Sequence, residues 1–295
     1  MQKHVFILNP QAGFKKTKQM KELIQKTFGK LAEIRLTERA GHATEIAREY
    51  TGSTIYAVGG DGTANEVMCG TVGSTNTLCV IPQGSGNDFV RTLYAKISGK
   101  HDPKKILNKI KDFTRRNIDC GKANDGFFMN IASVGFDAEV VRNSERYKNK
   151  PGLRRISYIL SMFYTIFHYH GTDLEGEIDG VPFQQKSLLF CIANGKYYGG
   201  GIKIAPEAVI DDGKLDAYLI ESVPAWLFLS VMPLLAIGKH TGLKFVKHVR
   251  AEKIVIRGKD LTLNLDGELS PTDEANFEVL QGGLTVLSPA ESTPR

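Results

Sequence analysis

Along the first 120 residues, short apolar runs at residues 5–8, 31–36, 54–58 and 78–81 alternate with segments of a different period. Within residues 15–30, Met20, Leu23, Ile24 and Phe28 recur at the spacing of one helix face, among many lysines. Residues 43–50 and 89–93 read as further helices, and residues 64–68 as the first turn of another. Strands alternating with helices predict a doubly wound, mostly parallel α/β sheet over residues 1–120. Ligands of such sheets sit at the carboxyl ends of the strands. Asn9, Thr37 and the glycine turns at 59–63 and 84–88 all follow strands, so four loops are expected to converge on one crevice.

After Cys120 the pattern changes, and residues 121–280 predict a β-rich, antiparallel second domain. Residues 127–132, 174–178, 187–193, 214–220, 253–256 and 261–265 read as strands. Ile178-Asp179-Gly180 and Arg257-Gly258-Lys259-Asp260 read as hairpin turns between them. Two helices interrupt the series, an aromatic one at 156–168 and an apolar one at 225–237 that contains Pro233. The second is well short of the ~20 apolar residues that span a bilayer. Residues 281–295 are expected to form a tail that packs back on the first domain.

With 295 residues, 42% of them hydrophobic and 24% charged, the chain has the composition of a globular protein with room for two cores. The formal net charge of +6 favours an anionic partner: nucleotide, nucleic acid or an acidic membrane. No basic run interleaved with aromatics appears, and no helix-turn-helix or zinc-finger pattern, so nucleic acid is not expected. Cys69, Cys79, Cys120 and Cys191 are scattered, which suggests neither a zinc site nor a disulfide framework. The apolar run at 5–8 is too short for a secretory segment, and a cytoplasmic protein is expected.

The candidate chemistry centres on Gly59-Gly60-Asp61-Gly62-Thr63-Ala64-Asn65-Glu66, where a strand turns into a helix. Its glycines put no Cβ in the way of an anion, and a helix start carries partial positive charge. The turn is either a phosphate cradle or a plain βα loop. Asp88 is either a second acidic group at the crevice or an N-cap of the helix at 89–93. Asp266-Gly267 reads as a hairpin turn, and Glu268 beside it as a solvated turn residue.

The ordered series of Asn9-Pro10, the Gly59 to Glu66 turn, Gly84-Ser85-Gly86-Asn87-Asp88, Asn194-Gly195, Gly199-Gly200-Gly201, Asp211-Asp212-Gly213 and Asp266-Gly267-Glu268 resembles the diacylglycerol kinase catalytic-domain family. That family includes bacterial lipid kinases and is related to sphingosine kinases. The resemblance runs through nearly the whole chain. It implies that ATP binds between the domains and passes its γ-phosphoryl group to a lipid hydroxyl. It places the nucleotide at Asn9, Pro10, Gln11, Ala12, Gly13, Thr37, Gly60, Asp61, Gly62, Thr63, Ala64, Asn65, Glu66 and Ser85. Ala12 stands where the family usually carries a small polar residue. Asp61 and Asp88 are implied to manage Mg²⁺, and Glu268 to take the proton of the lipid hydroxyl. A structural Mg²⁺ is implied at Asp212, with carbonyls from Val209 and Lys214.

The reading is a kinase that makes phosphatidic acid from ATP and diacylglycerol or a similar neutral lipid. A sphingoid or other long-chain lipid kinase, an NAD kinase and a non-catalytic nucleotide-binding regulator are its rivals. Basic residues flank both helices of the second half: Arg142, Arg146, Lys148, Lys150, Arg154 and Arg155 before the first, and Lys239, His240, Lys244, Lys247, His248 and Arg250 after the second. They suggest peripheral docking on the anionic inner face of a membrane. A homodimer stays open.

Overall fold

The computed structural model describes residues 3–10, 14–148 and 157–290. The candidate residues Gln11, Ala12 and Gly13 lie outside them, as do Lys150, Arg154 and Arg155. The chain order is β1 (His4–Leu8), α1 (Phe14–Phe28), β2 (Ala32–Leu36), α2 (His42–Arg48), β3 (Thr54–Gly59), α3 (Asp61–Thr71), β4 (Thr77–Pro82), α4 (Asp88–Leu93) and α5 (Pro103–Lys109). It continues through β5 (Phe113–Ala123), β6 (Gly126–Phe128), β7 (Ile131–Gly135), α6 (Phe136–Lys148), α7 (Ser157–His168), β8 (Thr172–Ile178) and β9 (Val181–Ala193). The last elements are β10 (Leu215–Glu221), α8 (Ala225–Ile237), β11 (Val246–Ala251), β12 (Lys253–Leu265) and β13 (Glu268–Pro289).

In the first half, β2, β1, β3 and β4 lie side by side in that order, each pair parallel. β1, β3 and β4 are almost wholly buried, which is why they read as unbroken apolar runs. Phe6 stacks on Tyr56 with ring centroids 4.1 Å apart, and Ile24 and Met20 of α1 join the same core.

The second half is antiparallel, with β11, β10, β9, β7 and β12 as successive neighbours. β8 and β9 form the hairpin expected at Asp179-Gly180, whose φ values of 47° and 80° are those of a tight turn. Two local expectations need correction. Residues 127–132 are not one strand, because the chain breaks at Met129 and Asn130 between β6 and β7. Arg257-Gly258-Lys259-Asp260 is not a hairpin turn either. It is an irregularity within the single strand β12, where the register against β13 shifts between Arg257 and Leu261 and Asp260 takes a φ of 53°. A glycine and a positive-φ aspartate serve a bulge as well as a turn, so the local signal was ambiguous.

β13 links the two halves. Its first part pairs with β12, its length from Phe277 to Pro289 pairs with β5, and Val286 pairs in parallel with Leu78 of β4. Residues 281–289 thus continue a strand, and Leu284 and Val286 lie in the core of the first half. One hydrogen-bonded sheet of 13 strands results among the described residues.

Candidate active site

The four glycine- and asparagine-bearing loops expected at strand ends meet at the carboxyl edge of β1, β2, β3 and β4. Thr37 N–H donates to Leu8 O at 3.0 Å and Asn9 N–H to Val58 O at 3.3 Å, so the second loop leaves against the end of β1 and the first against the end of β3. Asn9 Nδ2 donates to Thr63 Oγ1 at 3.3 Å. Asn9, Pro10, Thr37, Thr63 and Glu66 then line a hollow of about 280 Å³ together with Arg39. Glu66 has a structural task there. Its Oε2 accepts from Ala43 N–H at 3.0 Å and its carbonyl from Thr44 Oγ1 at 2.7 Å, which caps α2, whose own N-cap is Gly41.

The two glycine turns touch each other. A Cβ on Gly84 would stand 2.5 Å from Gly60 Cα, so the approach is backbone against backbone and tolerates no side chain. Beyond this contact Asp88 N–H donates to Asp61 Oδ1 at 2.7 Å, fixing both acidic residues at the first turns of α3 and α4. A Cβ on Gly86 would fall 2.8 Å from Asp61 Oδ2 and 3.5 Å from Asp88 Oδ2, so glycine keeps the space beside the two carboxylates clear. Asp88 is thus both a helix-start residue and part of the acidic pair. Burial pushes its carboxyl above the usual range, and nearby Asp61 adds to the rise, while the Gly200 amide and Arg91 oppose it.

The second half closes over this edge. Gly200 N–H donates to Asp88 Oδ2 at 2.8 Å, Lys196 N–H to Thr92 Oγ1 at 3.0 Å, and Arg91 reaches both Gly86 O and Gly200 O. On the other side Asn65 Nδ2 of α3 donates to Asp266 Oδ2 at 2.9 Å. Asp266 also accepts from the amides of Met129 (2.8 Å), Asn130 (3.2 Å) and Ile131 (2.7 Å), the residues where β6 breaks into β7. Burial pushes Asp266 up to about 6, against the pull of these donors. Asn194 Nδ2 ties Asp119 O and Met129 O together, and the amides of Asn194 and Gly195 both donate to Asn130 O.

Between the halves lies a cleft of about 210 Å³. Asp61, Asp88 and Phe89 form one wall and Met129, Ile131, Asp137, Val141, Asn264, Asp266 and Gly267 the other, with Tyr198 and Gly199 at the side. The sequence motifs named the first wall, but they missed Asp137, Asn264 and Asn130. Asp137 had a findable signal. Gly135, with a φ of 116°, ends β7, and Asp137 is the second residue of α6, a strand, glycine and helix order like that at Gly60-Asp61 but with Phe136 between glycine and acid. Glu268 lies one residue beyond the cleft-lining Gly267, at the exposed start of β13. Ser85 is exposed beside Gly84.

Asp212 lies away from this cleft. Its carboxylate is engaged by Arg250 Nη2 and by the Lys214 amide at 3.1 Å, and burial raises its carboxyl while Arg250 holds it down. Val209 is 44% exposed nearby in sequence. Among the described residues no group of three or more His, Cys, Asp or Glu side chains is arranged to hold a metal ion. Of the basic residues around the helices, His240 is buried with Nε2 at 3.0 Å from Ile204 O, and so is not a surface charge. His248 lies between Glu207 and Asp216, Arg142 pairs with Glu139, and Arg250 with Asp212, whereas Lys239 and Lys244 are exposed. The side chains of Arg146 and Lys148 are outside the described set.

Two family profiles divide the chain between them. The diacylglycerol kinase catalytic domain matches residues 3–123, and the YegS C-terminal NAD kinase beta sandwich-like domain matches residues 130–288. A diacylglycerol kinase of Bacillus subtilis (strain 168) is 30% identical over 99% of this chain and 98% of its own length. One from Staphylococcus aureus (strain Newman) is 32% identical over 86% of this chain and 81% of its own. The crystal structure of a putative diacylglycerol kinase from Bacillus anthracis str. Sterne superposes with a TM-score of 0.74 at 26% identity, covering 97% of both chains. The profiles take in both walls of the cleft apart from Met129, and the Bacillus subtilis relative matches 99% of the chain: the protein belongs to the family of lipid kinases built on the diacylglycerol kinase catalytic domain.

Proposed function

We propose that the protein transfers the γ-phosphoryl group of ATP to the hydroxyl of diacylglycerol, giving phosphatidic acid. The observation that carries this reading is the meeting of Asp61 and Asp88, joined by a 2.7 Å hydrogen bond, in a cleft whose opposite wall sets the apolar Met129, Ile131 and Val141 among Asn130, Asp137, Asn264 and Asp266. In it the nucleotide lies over the Asn9, Thr37 and Thr63 hollow, with its phosphates toward the free amides at the start of α3. Those amides have no intrahelical acceptor and point along the favourable end of the helix dipole.

Asp61 and Asp88 are the residues suited to hold magnesium here. Two carboxylates are too few for a complete protein site, which fits a cation that takes its remaining ligands from phosphate and water. Bound there, it would neutralise phosphate charge during transfer. A second magnesium, at Asp212 with the carbonyls of Val209 and Lys214, has to compete with the Arg250 guanidinium, and no step is routed through it. By resemblance to the family, Glu268 receives the proton of the acceptor hydroxyl.

We place the enzyme at the inner face of an anionic membrane as a peripheral protein of the cytoplasm. Among the described residues no helix is long and apolar enough to cross a membrane. Phe163 and Phe167 on α7 and Trp226 and Ile237 on α8 are exposed, the two helices touch, and Lys239 and Lys244 follow α8. Exposed aromatic rings with lysines beside them suit the headgroup region.

Release of ADP by purified protein with Mg²⁺-ATP tests the function when diacylglycerol micelles, sphingosine and NAD are offered in parallel. ADP formed with diacylglycerol supports it. ADP formed only with NAD, or only with sphingosine, overturns it in favour of that acceptor.

A further inference from the structure

On α4, Asp88, Arg91 and Thr92 stand at positions i, i+3 and i+4, which share one face of a helix. All three meet the same segment of the second half. Gly200 N–H donates to Asp88 Oδ2 at 2.8 Å, Lys196 N–H to Thr92 Oγ1 at 3.0 Å, and Arg91 Nη2 to Gly200 O at 3.4 Å. Arg91 also reaches back into the first half, where its Nη2 donates to Gly86 O at 3.2 Å and its Nε lies 3.4 Å from Asp88 Oδ1. One guanidinium therefore joins the second glycine turn, a member of the acidic pair and the loop that covers them.

The loop is a small tip on an anchored base. At the base, Gly195 N–H donates to Asn130 O at 2.9 Å and Asn130 Nδ2 to Tyr197 O at 2.6 Å, which ties it to the second half. At the tip, Tyr198 and Ile202 pair across the turn, with Tyr198 N–H donating to Ile202 O at 3.0 Å and Ile202 N–H to Tyr198 O at 2.9 Å. Gly199, Gly200 and Gly201 between them take φ values of 59°, 84° and 121°, a run of left-handed backbone that favours glycine. A Cβ on Gly201 would stand 3.2 Å from Arg91 Cζ, so glycine there lets the guanidinium lie against the loop. With the loop down, the cleft beside Tyr198 and Gly199 holds about 210 Å³. Small-molecule sites begin at roughly 300 Å³, so a lipid head group and a transferable phosphate need this loop to lift and then return.

We propose that Arg91 is a positioning residue that latches residues 196–201 onto α4 once the lipid has entered, and that this closure sets Asp88 for phosphoryl transfer. The second part rests on the lipid-kinase reading, whereas the latch rests on the contacts themselves. In the closed form the Gly200 amide and the guanidinium hold the Asp88 carboxylate from two sides. When the loop lifts, Asp88 loses the Gly200 amide, while Arg91 keeps Gly86 O and Asp88 and so stays ready on the first half. Arg91 thus acts through Asp88 and the loop rather than on a reacting atom. Such placement counts, because a shift of about 1 Å at a reacting centre costs on the order of 10²-fold in rate.

The deciding pair is Arg91→Met and Arg91→Lys in the full-length protein, read by amide hydrogen exchange over residues 196–202. Urea midpoints and binding of a fluorescent ATP analogue serve as controls. In Arg91→Met the loop amides are expected to exchange about ten- to hundredfold faster, the change in a local opening equilibrium when a hydrogen bond from a charged group is lost. Lipid-dependent kcat is expected to fall by at least about tenfold, with nucleotide binding unchanged. Arg91→Lys keeps the charge, but its single nitrogen does not span Asp88 and the two carbonyls together, so both losses should persist in it. Full rescue by lysine overturns the latch in favour of charge alone, and parental loop exchange in Arg91→Met overturns it outright. Faster exchange with parental lipid kinetics overturns the positioning role. A parent protein that releases no ADP with any lipid overturns the lipid-kinase reading, and loop exchange still decides the latch. If Arg91→Met does not fold, Thr92→Val decides, because it removes the acceptor of the Lys196 amide at nearly constant shape. About two- to tenfold faster exchange across the same residues is expected of it, and parental exchange would show that α4 does not hold the loop.

Discussion

Asp61 and Asp266 face the same cleft from opposite walls, each beside a glycine at the end of a strand, yet their surroundings differ. Asp61 stands at the first turn of α3 and accepts one amide, that of Asp88, while glycine keeps the space beside its other oxygen open. Asp266 is filled: Asn65 and the amides of Met129, Asn130 and Ile131 leave its carboxylate nothing further to bind. An underused carboxylate is suited to a ligand, whereas a saturated one organises the wall that others use. The presence of an aspartate in a glycine turn therefore does not decide its role. The number of donors already committed to it does.

The largest effect expected from this contrast is on stability. Asp266→Ala leaves three amides and the Asn65 side chain without their acceptor and should cost about 3–5 kcal/mol, read as a lower midpoint in urea unfolding. A shift below about 1 kcal/mol would show that water replaces the carboxylate and that the wall does not depend on it. Asp61→Asn should have the opposite signature. Its fold should be close to that of the parent, with turnover reduced about 10²- to 10³-fold, the loss typical for one charge-stabilising group at a reacting centre. Comparable loss of stability in both variants would erase the distinction.

The same carboxylate gives a pH signature. Asp266 is raised to about 6 in the folded protein and falls near 3.9 when unfolded. The folded state therefore binds the proton more tightly. Its contribution to stability is fully present below about pH 4 and is lost as pH rises through about 6, on the order of 2–3 kcal/mol in all. Urea midpoints of the parent should thus decline between about pH 4 and 6 more steeply than those of Asp266→Asn, which has no such proton. Parallel profiles would mean that the amide donors hold Asp266 ionised throughout.

How much of each wall was legible follows from the range of its contacts. Gly59 to Glu66 and Gly84 to Asp88 carry their geometry within a few residues of sequence, so strand ends, helix starts and the convergence of the loops could be inferred, whereas the contact of Gly84 with Gly60 came only with the structure. Asp61 and Asp88 are 27 residues apart, joined by adjacent parallel strands. Asp266 reaches partners 135 to 201 residues away, and Asn264 reaches Asp137 across 127. No local period announces such pairings. The second half also misled locally: the bulge in β12 carries turn residues, α6 lies in a stretch read without a helix, and β13 continues where a tail was expected. The family resemblance supplied Asp266-Gly267-Glu268 as a unit, but not which member is filled, exposed or near the cleft.

The smallest expected effect concerns the outer surface, where the two halves differ again. α3 of the first half buries seven of its eleven residues, whereas α8 buries only Phe228, Val231 and Leu235, although it is the more apolar helix. Trp226 is 70% exposed and Ile237 57%, beside the exposed Phe163 and Phe167 of α7. Under the proposed membrane docking these residues would hold the second half against the bilayer, with Lys239 and Lys244 facing anionic headgroups. Trp226→Ser should weaken binding to vesicles containing anionic lipid by about 1 kcal/mol, roughly fivefold in partitioning, without changing ADP release from diacylglycerol in detergent micelles. Lys239→Glu with Lys244→Glu should weaken binding by a further amount that vanishes at high salt, since exposed charges are screened there. Binding insensitive to Trp226, to both lysines and to salt would assign α7 and α8 to some other contact and leave the cleft chemistry untouched.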